Sequence, residues 1–333
     1  MVNKSNRSYS IDFIKGIAAI SIVCLHCANN DAFDSILHLV GRLAVPMFFI
    51  ITGYYLQSMI KTRHIHKHIV KILKIILGGL LFYLPLICIE AYFRGYLLWR
   101  LTHVIECDKL LENLAFAQYP FNVEAGHLWY LMAILYILCF LYFYSKKYKI
   151  NKLYFLIPIL FLIGYIISSL VDQYDSRMRM FYQNFLFTGM PYVLLGHLIH
   201  EKISHKQIDN KILGKLIGLC AVLYIAEIGF YVFIGLPPHR EHYLFIIPIV
   251  SLILIWASQN SQFGKNSIVT TIGRDYSICI YVVHRYFVMR SYSLTSSPIF
   301  DSKLQMLISI GLSLLVAYLF VSIKKRLKSR RSN

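Results

Sequence analysis

Long apolar stretches recur along this chain, each near the ~20 residues that an α-helix needs to cross about 30 Å of hydrocarbon. About ten can be drawn, near 10–29, 42–60, 69–92, 127–145, 152–171, 185–200, 212–234, 242–258, 272–290 and 304–323. A segment in lipid must satisfy its own backbone, so the pattern predicts an all-α integral membrane protein. Composition agrees: the 333 residues are 57% hydrophobic and 15% charged, where about 25% charged is ordinary. A soluble enzyme, a disordered chain and a secreted disulfide scaffold are excluded. Residues 1–333 read as a single polytopic domain, without internal repeat or low-complexity segment. The first stretch is too long for the apolar core of a cleavable leader. The sixth holds Pro191 between Gly189 and Gly196, which predicts a broken or kinked helix.

Lys and Arg number 34 against 16 Asp and Glu, a formal charge of +18. In a soluble protein that excess points to nucleic acid; in a membrane protein it is a topology signal. The distribution decides. Basic residues crowd alternate loops: Lys4 and Arg7, Lys61 to Lys74 including Arg63, Lys146 to Lys152, Lys202 to Lys215, Lys265 and Arg274, and Lys324 to Arg331. The other loops hold scattered cations such as Arg42, Arg94, Arg177 and Arg240. Both termini are therefore expected on the cytoplasmic side, and no nucleic-acid partner is needed. In the outer loop near 93–126, Ile105 to Phe116 has helical apolar spacing suited to a membrane surface.

Ionisable side chains inside apolar stretches are costly and mark candidate sites. The first stretch carries Asp12, Lys15 and His26. Lys15 and His26 are separated by about 16 Å along a helix but only about 20° around it, so they share one face. Snorkelling of Lys15 and a hydrogen-bonded interfacial His26 are the bland alternatives. Arg42 to Leu56 (RLAVPMFFIITGYYL) places Arg42 at the outer boundary, as site residue or headgroup anchor, and offers the Tyr54 hydroxyl at membrane depth. His127, Trp129 and Tyr130 open the fourth stretch, as acceptor-binding groups or as part of an aromatic belt. Glu227 is a candidate to orient or charge-stabilise His26, or a cavity-lining carboxylate. His64, His66 and His68 form a basic patch suited to a phosphate-bearing donor rather than a metal site. Cys24 and Cys27 lack a second pair, and the seven cysteines, Cys107 apart, read as apolar packers. No metal site and no phosphate-binding glycine loop is expected.

Four fragments together resemble the membrane-bound acyltransferase family 3, whose members O-acylate glycans and peptidoglycan. They are Lys15 and His26 in a K-x10-H pattern, RLAVPMFFIITGYYL with Thr52 where the family has Ser, HLWYL from His127, and IGRDYSICIYVVHRYF with Tyr281 and His284. Lys15 stands where many members have Arg. Gln183 and Asn184 stand where many have an Arg, with Arg177 and Arg179 nearby. The resemblance implies a multi-pass protein of the bacterial cytoplasmic (inner) membrane, taking acetyl-CoA or another acyl-CoA as donor inside and a glycan acceptor outside. His26, Lys15 and Glu227 are then the catalytic candidates. Arg42, Tyr54, His127, Trp129, Tyr130, Tyr281 and His284 are the substrate-binding ones. The rival expectation is a non-catalytic transporter, flippase or exporter of polysaccharide or acyl groups, and oligomeric state is left open.

Overall fold

The computed structural model describes residues 8–27, 32–61, 64–105, 109–121, 123–171, 176–236, 240–294 and 302–330. Lys4, Arg7, Arg63, Cys107 and Arg331 lie outside the described residues, as does the side chain of Arg177. Among the described residues every regular element is helical, and the one antiparallel bridge joins Ile105 to Phe121. The chain begins with α1 (Tyr9–Cys27), α2 (Ala32–Gly41), α3 (Ala44–Lys61) and α4 (Ile65–Phe93). Two short helices, α5 (Leu97–Thr102) and α6 (Leu110–Ala115), precede α7 (Trp129–Ser145) and α8 (Leu156–Val171). Next come α9 (Met190–Lys202), α10 (Asn210–Phe233) and α11 (Ile246–Gln259). The short α12 (Ile268–Thr271), α13 (Ser277–Leu294) and α14 (Ser302–Arg330) complete the order.

Among the described residues, seven helical runs are long and apolar enough to cross a membrane. The other three expected stretches are short or interrupted, each for a visible reason. Residues 185–189 form a π-turn, so α9 has only 13 residues, with Pro191 in its first turn where the missing N–H costs nothing. Where a broken or kinked helix was expected, a π-turn runs directly into α9 with no non-helical residue between them. Helix α11 has 14 residues, about 21 Å at 1.5 Å each. A second π-turn, Ile272–Tyr276, opens the ninth stretch, and α13 carries His284, Arg285 and Arg290. Of the amphipathic segment expected over 105–116, Leu110–Ala115 is helical, with Leu111 exposed.

Two compact units emerge: Met1–Val45 with Asn260–Asn333, and Pro46–Gln259. In the first, α1 packs against α2, α12, α13 and α14. Its tightest point is backbone on backbone. A Cβ on Gly16 would lie 2.1 Å from the Val269 oxygen, and one on Gly273 would lie 1.8 Å from the Asp12 oxygen. Only glycine permits that approach. Small polar side chains join α13 to α14: Ser291 and Ser309 hydroxyls are 3.0 Å apart, and Gln305 donates to the Val288 oxygen at 3.3 Å.

The second unit repeats the device. A Cβ on Gly53 of α3 would meet the Val193 oxygen at 1.9 Å, and one on Gly196 of α9 would meet the Ile50 oxygen at 2.0 Å. Between α6 and α7, Tyr119 is buried and donates to the Ile76 oxygen at 3.5 Å, and burial raises its phenol above the ordinary range. Helix α10 has 11% of its most apolar window buried, against 61% for α1. Its bare face is leucine, valine, isoleucine and phenylalanine, as lipid contact requires.

Candidate active site

Helix α1 brings three ionisable groups into the first unit. Asp12 is buried, and Lys15, one turn on, reaches its Oδ1 at 3.4 Å. The ammonium is therefore paired inside the helix rather than only snorkelling. The π-turn lying on Asp12 carries Arg274, which forks the Asp275 carboxylate at 3.0 and 3.1 Å, and Lys325 of α14 adds a contact at 3.6 Å. This end of the unit is a network of charges held by the Gly273 approach.

Toward the other end of α1, His26 meets α13. Its ring stacks on His284 with centroids 5.2 Å apart and planes inclined at 27°. Arg285 Nη1 lies 3.3 Å from His26 Nδ1. A guanidinium only donates, so His26 Nδ1 holds the lone pair and the neutral ring carries its proton on Nε2. His284 is the reverse. It is fully buried, and its Nδ1 faces the carbonyl oxygens of Tyr281 at 2.8 Å and Ile280 at 3.2 Å. Carbonyls only accept, so the His284 proton is on Nδ1 and its lone pair on Nε2. Two stacked imidazoles thus hold opposite tautomers. Tyr281 is buried, with its ring 6.0 Å from that of His284.

The other expected residues have their own settings. The Arg42 backbone N–H closes a turn on the His38 oxygen at 3.0 Å. In the second unit the Tyr54 ring meets His200 edge-on at 4.8 Å. His127 lies in a single 3-10 turn, 5.9 Å from the Tyr83 ring. Trp129 and Tyr130 are both buried, packed 6.0 and 4.6 Å from Phe49, so they hold α7 to α3 rather than forming a belt. Glu227 accepts the backbone N–H groups of Leu244 and Phe245 at 2.8 and 3.2 Å, which satisfies orphan donors where α11 begins. Its carboxylate is a cap in this setting. Arg179 contacts Glu241 at 3.8 Å.

Two features escape sequence reasoning. Arg285 contacts a residue 259 positions away, and no local pattern announces that. A second polar cluster joins Tyr154 to His197 at 2.6 Å and to Glu201 at 2.6 Å, with Gln57 3.0 Å from the other His197 nitrogen. The i,i+4 spacing of His197 and Glu201 on α9 was its one available signal. Among the described residues no group of His, Cys, Asp or Glu can hold a metal.

Comparison with known proteins identifies the region around this geometry. The family described as acyltransferase domain, acyltransferase family 3, matches residues 8–323. Two Enterococcus faecalis proteins named amino-acid racemase are each 24% identical to the chain. One match covers 97% of this chain and 47% of the relative, the other 74% and 35%. The chain thus spans about half or less of the curated relatives it matches. No solved structure matches.

Proposed function

Because the chain belongs to acyltransferase family 3, we propose that it is a membrane O-acyltransferase whose His26 removes the proton of an acceptor hydroxyl. The donor in this reading is cytoplasmic acetyl-CoA. The acceptor is a hydroxyl of a surface or lipid-linked polysaccharide on the far side of a bacterial cytoplasmic membrane. The alternation of Lys and Arg along the chain supports that sidedness, with both termini inside and about ten crossings.

The observation that carries the reading is the His26–Arg285–His284 constellation inside the region the family matches. The available lone pair on His26 is at Nδ1, where Arg285 donates. An arriving hydroxyl competes for that nitrogen and displaces the guanidinium. The O–H proton passes to Nδ1 as the oxygen bonds to the thioester carbonyl carbon. Arg285, released beside the reacting carbonyl, stabilises its oxygen as negative charge develops. Collapse breaks the carbon–sulfur bond, and His26 returns the proton to the thiolate, leaving an ester and a free thiol. His284 cannot replace His26 by simple rotation, because its Nδ1–H is anchored to the backbone of its own helix. The pair of Lys15 with Asp12 keeps a cation at the donor side of α1.

The racemase name describes proteins of which this chain matches 47% or less, and their activity is not carried over. Membranes containing the protein, given acetyl-labelled CoA and a lipid-linked glycan, are expected to place the label on the glycan. Passage of glycan or acyl groups across the membrane without any labelled ester would establish a transporter instead.

A further inference from the structure

Helix α4 has 29 residues, about 43 Å at 1.5 Å each, and so exceeds the ~30 Å of hydrocarbon. Its first turns carry Lys67, Lys71 and Lys74, all exposed. Spacings of four and three keep them within about 60° on one face. From Lys74 to Phe93 the helix runs about 28 Å, close to the hydrocarbon thickness. Lys74 therefore marks one boundary, and Lys67 and Lys71 stand in the headgroup layer. Leu81, Ile89 and Tyr92 continue the same face and are 73%, 56% and 67% exposed. The stripe faces lipid along its length and ends in three cations.

The chain supplies these cations with no counter-charge. None of the three lysines makes an ion pair among the described residues. The acid of this helix, Glu90, lies at the other end and is taken by Arg94 at 2.9 Å. In the first unit, by contrast, Lys15 is paired with Asp12 and Arg274 with Asp275. Three neighbouring ammonium groups repel one another, and an anion from outside the chain relieves that repulsion.

A second basic segment reaches the same level. Between the start of α4 and the end of α7 lies a cavity of 480 Å³, lined by Ile65, His66, Tyr142 and Lys146 among others. Lys146 is exposed, with its Nζ 4.3 Å over the Tyr142 ring. Phe143 beside it is 66% exposed, and Leu73 and Leu77 of α4 are 41% and 55% exposed. Both helices thus present cations at the boundary and bare apolar side chains next to them. A soluble anion would answer the cations alone, and at Lys74 it would meet the exposed Leu73 and Leu77. A phosphate carried on acyl chains answers both.

We propose that this face of the second unit binds an anionic phospholipid of the adjoining leaflet, the cytoplasmic one by the charge alternation. Lys67, Lys71 and Lys74 hold its phosphate, Lys146 adds to the local positive field, and its chains lie along Leu77 and Leu81. The inference is independent of acyl transfer, since neither donor nor acceptor enters it.

The test releases the full chain from nanodiscs of equal parts phosphatidylglycerol and phosphatidylcholine and counts retained lipid by native mass spectrometry. Wild type should retain phosphatidylglycerol in preference. Lys67→Gln, Lys71→Gln and Lys74→Gln together should lower that preference at least about tenfold, and the same three changed to Arg should keep it. Lys149→Gln, Lys152→Gln and Lys206→Gln together remove equal charge from loops and should alter it less than about twofold. An equal fall in the loop variant, or no preference in wild type, overturns the site. Displacement of the retained lipid by glycerol 3-phosphate would reassign the lysines to a soluble phosphate and overturn the lipid. A photoreactive phosphatidylglycerol reads wild type alone, whatever the Gln variant does to folding. Its label should fall on α4 between Lys67 and Leu81, and label confined to other helices would overturn the proposal. Lipid retained at α4 with no acyl transfer would sink the acyltransferase reading and leave this site standing.

Discussion

Two histidines in this chain occupy opposite electrostatic settings. His26, in the unit built from the two ends of the chain, meets a guanidinium and a second imidazole. His197, in the unit built from the middle, meets a phenol with a carboxylate behind it and an amide. At His26 a displaceable donor covers the Nδ1 lone pair, so a substrate hydroxyl can compete for it. At His197 both nitrogens are held by groups that are themselves packed, and the ring joins α9 to α3 and to the start of α8. On the proposed reading the same side chain is a reagent in one place and a strut in the other, and its neighbours decide which.

Arg285 is the first place to break the contrast. Arg285→Gln should lower the transfer rate by roughly 10² while leaving insertion and folding intact, and Arg285→Lys should recover part of the loss. Rates equal to wild type in both variants would leave the guanidinium with no part in catalysis. The next effect is steric. Gly273→Ala drives a Cβ to 1.8 Å from the Asp12 oxygen and should cost about 1–3 kcal/mol or more, read as lowered thermal stability. Gly214→Ala, on α10 with nothing within 4 Å, should be neutral or stabilising by about 1 kcal/mol. Equal effects at the two glycines would deny the backbone contact.

His197→Ala should destabilise the protein by about 1–3 kcal/mol by leaving buried partners unsatisfied, yet transfer per folded molecule at saturating donor should stay within about twofold. A full loss of transfer with normal stability would make His197 a reagent as well and dissolve the contrast. The smallest effect belongs to Lys325→Ala. Its contact with Asp275 is long and its side chain 68% exposed, so stability should move by no more than about 1 kcal/mol.

The membrane class and all-helical fold were legible because both are written in local composition. So was the placement of Lys15 and His26 on one helix, since helical periodicity needs no partner. The partners themselves were not legible. Glu227 reads from sequence as an orienting carboxylate for His26, and what the sequence does not show is that its oxygens accept the Leu244 and Phe245 N–H groups at the start of α11. Trp129 and Tyr130 carry the composition of an interfacial belt, and their burial against Phe49 depends on how α3 and α7 meet. The π-turns at 185–189 and 272–276 interrupt the α-helical ladder at the start of two expected crossings. The first follows from Asn184, whose side chain accepts the Leu186 and Phe187 N–H groups. The second follows the close approach of Gly273 to α1. Each is a tertiary or capping effect that hydropathy does not encode.

The decisive measurement is label transfer from acetyl-CoA to a lipid-linked glycan by purified, membrane-inserted His26→Ala beside wild type. Transfer should fall by about 10²–10⁴, with thermal stability and membrane insertion preserved. A His26→Ala protein that inserts normally and transfers label at the wild-type rate would contradict the assignment of His26 as the base.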